Sequence, residues 1–219
     1  MPSQLIFPIE PRARLTRADF IPAPGNERVL AFLDSYPAWP APAAVLHGPA
    51  ASGKSHLAQI WADASGATVI AAAALGDTPL SGTTSGPVAV EDVDTAFGEA
   101  HERALFALFE RGAPLLLTGR APPATWRVAL PDLASRYAAA LAFDLGAPDD
   151  ALLAGLAAKL FADRQLTVPE PVIRHMIERL ARSPEAIRDF VALVDARALS
   201  EKRPINLGLI RDLLAAAPP

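Results

Sequence analysis

The chain has 219 residues, 51% of them hydrophobic, no cysteine and a formal net charge of −4. That length suits one α/β domain, alone or with a small appendage. The missing cysteines exclude disulfides, thiol catalysis and Cys-based zinc sites and suit the reducing cytoplasm, while the acidic balance argues against tight electrostatic binding of duplex DNA.

Residues 1–24 read as a proline-rich, extended N-terminal arm. Pro8 and Pro11 break any apolar core a signal peptide would need. Inside the arm sits Gln4-Leu5-Ile6-Phe7-Pro8-Ile9, a polar residue followed by apolar ones ahead of any regular element. It reads either as an edge strand or packing arm, or as a linear motif whose side chains fill pockets on a partner. A helical pattern follows from Glu27 to Ser35, with Val29, Leu30 and Leu33 on one face.

Ala43 to His47 read as a buried strand leading into Gly48-Pro49-Ala50-Ala51-Ser52-Gly53-Lys54-Ser55. This octapeptide fits G-x-x-x-x-G-K-[ST] at every specified position, and Leu57, Ile60, Trp61 and Ala64 continue with helical spacing. The two glycines let the backbone turn its N–H groups inward around phosphate oxygens. Lys54 brings charge to the β- and γ-phosphates, Ser55 offers a hydroxyl to Mg²⁺, and the helix N-terminus adds partial positive charge. Residues 48–55, with His56 behind them, are the expected binding site for ADP or ATP with Mg²⁺.

Ala67 to Ala72 read as a second strand and 73–87 as a Gly-, Ser-, Thr- and Pro-rich loop. Val69 to Leu75, which starts in that strand and runs past its end, is a plainly apolar run far too short to span a membrane. Val88 to Asp94 form an apolar strand ending in carboxylates. Beside a phosphate loop the carboxylates of Glu91 and Asp92 can hold Mg²⁺ with Ser55 and orient a water toward the γ-phosphate; the other reading is an acidic turn that caps the following helix. Phe97, Leu105, Leu108 and Phe109 mark the next helix. Thr118 ends the strand Leu115 to Thr118, where its hydroxyl serves either the γ-phosphate or a backbone group. Leu130 to Arg136 read as a short helix presenting an arginine, and Ala140 to Leu145 as a fifth strand.

From Ala147 only helices are expected. They start at Pro148-Asp149, Pro169, Ser183-Pro184 and Asn206, with apolar faces built on residues such as Leu153, Ile173, Ile187 and Leu209. The chain thus divides into an arm (1–24), a phosphate-loop α/β domain with a parallel sheet flanked by helices (25–146), and a small all-helical lid (147–219). The four histidines show no i, i+4 pair, and the three tryptophans are too dispersed along the chain for a stacking platform.

The order of phosphate loop, acidic strand, polar strand tip, arginine and helical lid resembles an AAA+ P-loop NTPase. Narrower likenesses point to the DnaA-related family, and within it to Hda-like regulators of the initiator DnaA. Gly53-Lys54-Ser55-His56-Leu57 is similar to the GK[ST]HL of that family. Thr118 to Pro123 resemble its TGDRPP with Asp changed to Arg120, and Leu130 to Arg136 its LPDLASR. Gln4 to Ile9 resemble the clamp-binding peptide of Hda. The resemblance implies a cytoplasmic, nucleotide-bound adaptor that docks on the DNA polymerase III sliding clamp through Gln4, Leu5, Phe7 and Ile9. It implies DNA contact mainly through the clamp, no membrane, stimulation of ATP hydrolysis by DnaA with Arg136 as the finger in trans, and room for a homo-oligomer. Glu91 in place of the family's Mg²⁺-binding Asp, and Glu185 in place of an Arg at the lid's sensor position, imply weak hydrolysis by the chain itself, with Arg188, one turn on, as the residue placed to substitute for that Arg. The rival expectation is a stand-alone motor of the helicase-loader or clamp-loader kind.

Overall fold

Five short apolar runs become the strands of one parallel sheet. The computed structural model describes residues 15–75 and 86–216. The strands are β1 (Ala43–His47), β2 (Thr68–Ala71), β3 (Val88–Glu91), β4 (Leu115–Gly119) and β5 (Leu141–Asp144), in the spatial order β2-β3-β4-β1-β5. The three central strands are rich in Val, Leu and Ala because helices cover both of their faces. All the strands run the same way, so their C-terminal tips share one edge, where open α/β sheets bind ligands.

On one face lie α1 (Glu27–Asp34) and α2 (Lys54–Ser65), packed through Leu30, Leu57 and Trp61 against Leu46 and Leu116. On the other lie α3 (Glu99–Glu110) and α4 (Pro131–Ala139), packed through Leu105, Leu108 and Leu133 against Val90 and Leu117. The start of α2 is set by the loop it follows. Gly53 sits at φ 96°, a conformation only glycine adopts freely, and the helix takes over at Lys54.

The remaining helices, α5 (Asp150–Asp163), α6 (Glu170–Ile177), α7 (Pro184–Glu201) and α8 (Leu207–Ala216), bury a core of their own around Leu153, Met176, Ile187 and Ile210. Side chains cap three of them. Leu152 N donates to Asp149 Oδ1, Ala186 N to Ser183 Oγ and Leu209 N to Asn206 Oδ1, at 2.8, 3.1 and 3.1 Å. Residues 15–24 run between the two bodies: Phe20 belongs to the sheet core, and Ile21 packs against the lid core. Lys159 of α5 adds an ion pair to Asp19 at 3.2 Å.

Several sequence expectations shift. Phe97 lies ahead of α3 and is 70% exposed, so it is no part of that helix's apolar face. Ala58 is buried on α2 while Ala64 is exposed. Trp39 and Trp61, far apart in sequence, stack with centroids 4.9 Å apart in a cluster with Phe32 and Tyr36, where they serve packing. No described helix is long and apolar enough to cross a membrane.

Candidate functional site

A cavity of about 300 Å³ opens at the C-terminal edge of the sheet, bounded by the phosphate loop, the segment before α1, and the lid. Ala50, Ala51, Ser52, Gly53, Lys54, Ser55 and His56 line its floor. Ala51 sits at φ 61°, a left-handed conformation that costs a β-carbon-bearing residue energy and that the loop imposes. The Lys54 ammonium is buried under the loop. It donates to the carbonyls of Gly48 and Pro49 at 2.8 and 2.7 Å, so those two residues anchor the lysine from outside the cavity lining. Burial lowers the Lys54 pKa, and the carboxylates of Asp92 and Asp94 counter the shift.

One wall is apolar. Phe20, Ile21, Leu152 and Leu156 contribute to it, and His56 meets Phe20 edge to face at 5.1 Å. His56 Nε2 lies 2.8 Å from the Thr16 carbonyl. Burial pushes the imidazole pKa down, which keeps the ring neutral, and a neutral ring bonded there donates Nε2–H. Asn26 fixes the backbone of this wall, accepting from Ala23 N at 2.8 Å and donating to the Ile21 carbonyl at 3.0 Å.

The lining also carries charge. Asp92 and Arg120 enter it from the tips of β3 and β4, and Glu185 and Arg188 from the first turns of α7. Asp92 holds a left-handed backbone at φ 57°, ψ 44°, and its N–H donates to Thr118 Oγ1 at 3.1 Å. Thr118 is 1% exposed and does not line the cavity. Of the two readings of its hydroxyl, the backbone bond is the one observed, and it holds Asp92 at the cavity edge.

Glu91 also lies outside the lining, with Oε1 buried and lacking a hydrogen-bond partner. A buried carboxylate oxygen without a partner next to a strand tip is a group that a cation or a water satisfies, and Glu91 and the Ser55 hydroxyl are both hard oxygen donors of the kind Mg²⁺ takes. Among the described residues, no cluster of three or more acidic or histidine side chains makes a ready-built metal cage. Mg²⁺ with few protein ligands and several phosphate or water ligands fits such a site.

Arg136 stands apart from all of these. It projects from α4, half exposed, and pairs with Glu110 at the end of α3. Gln4, Leu5, Phe7 and Ile9 lie outside the described residues. Arg120 was not expected at the cavity. A lone arginine ahead of Pro122-Pro123 looks like a loop charge, and only the pairing of β1 with β4 brings it to the phosphate loop.

No family model matches the chain. Among solved structures, domain III of the Thermotoga maritima replication initiation protein DnaA superposes with a TM-score of 0.72, at 16% identity, over 91% of this chain and 95% of that one. The chain has the AAA+ P-loop NTPase fold. AMPPCP-bound DnaA from Aquifex aeolicus aligns at a TM-score of 0.68 and 16% identity, over 81% of this chain and 64% of that one. The Thermotoga maritima RuvB Holliday junction branch migration motor aligns as well, at 0.70 and 15%, over 92% and 71%. At such identities the likeness is one of fold, and the AAA+ fold alone does not separate an initiator from a motor.

Proposed function

We propose that this protein is a nucleotide-bound, Hda-like regulator of DnaA. In this reading the cavity takes ADP or ATP, with the phosphates on the loop 48–55 and Mg²⁺ between the phosphates, Ser55 and Glu91. The apolar wall of Phe20, Ile21 and Leu152 takes the base. The N-terminal Gln4, Leu5, Phe7 and Ile9 dock on the DNA-loaded sliding clamp, and Arg136 reaches the nucleotide of a neighbouring DnaA.

The observation that carries the reading is the division between Arg136 and the cavity. A complete phosphate loop faces a cavity that Arg136 does not line, while Arg136 is presented on the outside of α4. An arginine so placed is suited to another molecule's γ-phosphate rather than its own, and such a finger accelerates hydrolysis by roughly a thousandfold or more. The Thr118 hydroxyl bonded to the Asp92 backbone and the Glu185 carboxylate on the lid wall support slow turnover in the chain's own site.

The test is ATP hydrolysis by DnaA in the presence of clamp loaded on DNA. Added wild-type protein is expected to accelerate it, and Arg136→Ala to abolish the effect while preserving folding and clamp binding. Acceleration that survives Arg136→Ala refutes the finger, and Gln4→Ala with Leu5→Ala that leaves clamp capture unchanged refutes the docking peptide. The likeness to RuvB favours one rival, a stand-alone motor. ATP turnover by this protein alone, lost on Lys54→Ala, would establish that reading instead.

A further inference from the structure

A second cavity, of about 210 Å³, lies on the α3–α4 face of the sheet, between the segment that follows β3 and the one that leads into α4. It shares no lining residue with the cavity at the phosphate loop. Much of its lining is aromatic. Trp126 Nε1 is spent on the Ala121 carbonyl at 2.8 Å, and the Trp126 and Tyr137 rings meet edge to face at 4.9 Å. The indole thus has no polar group left to offer. Phe97, the exposed ring that α3 does not cover, lines the same cavity.

Two polar atoms of these lining residues lack partners among the described residues. Asp94 Oδ2 accepts from Arg120 N at 2.7 Å and from Ala121 N at 2.9 Å, whereas Asp94 Oδ1 is buried and accepts nothing. His101 Nε2 is buried and unpartnered too, on a residue 7% exposed, and burial lowers the ring's pKa so that it stays neutral. Groups left bare in this way cost free energy that a hydrogen-bond donor would recover. The balance of charge gives the sign of the occupant. Asp94 and Glu102 bring two carboxylates against one guanidinium, that of the exposed Arg127. Glu102 accepts from Ala129 N and Leu130 N with its two oxygens, so Asp94 Oδ1 is the carboxylate oxygen that remains. A carboxylate beside aromatic rings attracts an organic cation, by ion pairing and by the ring quadrupole together. Among the described residues no acidic and histidine side chains gather as a metal cage. The volume is below the roughly 300–1,000 Å³ of sites for drug-sized ligands and several times the ~30 Å³ share of one water. It suits a short chain.

We propose that this second cavity binds a primary alkylammonium group, whose N–H donors go to Asp94 Oδ1 and the His101 ring and whose alkyl chain packs on Phe97 and Trp126. Such a group comes either on a free aliphatic amine or on the side chain of a lysine from another protein, and the recognising chemistry is the same. The inference does not depend on the nucleotide reading, since the two cavities are lined by different residues.

The experiment follows the backbone amides of the isotope-labelled full-length chain by NMR during titration with butylammonium chloride, with butanol as the uncharged counterpart, at fixed ionic strength. The expected result is saturable shifts at Ala96, Phe97, Ala121 and Val128, with a Kd on the order of a millimolar and butanol roughly tenfold weaker or more. Asp94→Asn keeps an oxygen for the Arg120 and Ala121 N–H groups and loses the charge. It should weaken butylammonium roughly tenfold, the scale of one charge-assisted contact. Phe97→Ala, a change at an exposed side chain, should weaken it about threefold, and Arg127→Ala should strengthen it. Nα-acetyl-lysine methylamide separates the sources: binding tighter than butylammonium assigns the site to a protein-borne lysine, and weaker binding assigns it to a free amine. Absent shifts at these amides, equal shifts for amine and alcohol, or shifts scattered over surface carboxylates overturn the proposal and leave water as the partner of Asp94 and His101. Melting temperature is checked for every variant. If Asp94→Asn melts early, Phe97→Ala and the alcohol comparison decide with the same outcomes.

Discussion

A β-carbon on Gly119 would lie 2.5 Å from Trp126 Cζ2 and 3.2 Å from Asp94 Cγ, closer than packed atoms tolerate. Gly119→Ala is therefore expected to cost about 1–3 kcal/mol by urea denaturation, the usual range for overpacking. It should also disturb the Arg120 turn, because Asp94 is one of the groups displaced. His56 and His101 act on stability through protonation. Burial is the main cause lowering both pKa values from the ordinary 6.5, opposed by backbone bonds to Thr16 and Ala72. Below that value the unfolded chain binds more protons than the folded one. The stabilisation is fully present above about pH 6.5 and is lost as pH falls through the lower folded values. Melting temperatures recorded between about pH 7.5 and pH 5 should fall toward the acid end, and His101→Gln should flatten the slope.

At the scale of elements, one buried carboxylate sets the approach to α4. Glu102, 8% exposed, accepts from Ala129 N with both oxygens and from Leu130 N with Oε2, all at 2.9 Å. Glu102→Ala leaves two main-chain donors without that acceptor. It is expected to cost about 2 kcal/mol or more and to speed amide exchange at Ala129 and Leu130, as followed by denaturation and exchange measurements. Since α4 carries Arg136, the same variant should weaken any effect that depends on the finger. The strands, the loop and the lid helices were legible because their signals are local: continuous apolar runs, a fixed glycine–lysine spacing, and capping residues such as Ser183 and Asn206 that the structure finds bonded as caps. Glu102 was not legible, since a glutamate within a helical pattern reads as solvated until the chain returns 27 residues later to bring it a donor. Phe97 misled for a related reason. Its spacing matches the face of α3, but Gly98, at φ 117°, stands between it and the helix.

Across the whole molecule, the sheet domain and the lid keep separate cores, and residues 15–24 touch both. Two kinds of contact hold this seam, and they differ in weight. The Asp19–Lys159 pair is partly exposed on both sides, so Lys159→Ala should cost less than about 1 kcal/mol. Phe20 is 9% exposed and touches the cavity, so Phe20→Ala should cost about 3 kcal/mol or more and also weaken nucleotide binding, both measurable by melting with and without ADP. The place of Arg120 at the cavity became visible only at this scale, because it depends on which strands are neighbours, and adjacency in a parallel sheet is not written in any one segment of sequence.

The seam also governs how the chain can be shortened. Deleting residues 1–24 as a dispensable leader would strip Phe20 from one core and Ile21 from the other, and would remove part of the cavity's apolar wall. Such a shortened protein would lose thermal resistance and the shape of its cavity together, so a partner lost with it could not be traced to Gln4 to Ile9. A cut after Arg14 spares Phe20 and Ile21, and point substitutions at Gln4 and Leu5 spare the whole seam. Only trimming of that kind can assign a lost partner to the peptide rather than to an unseated domain.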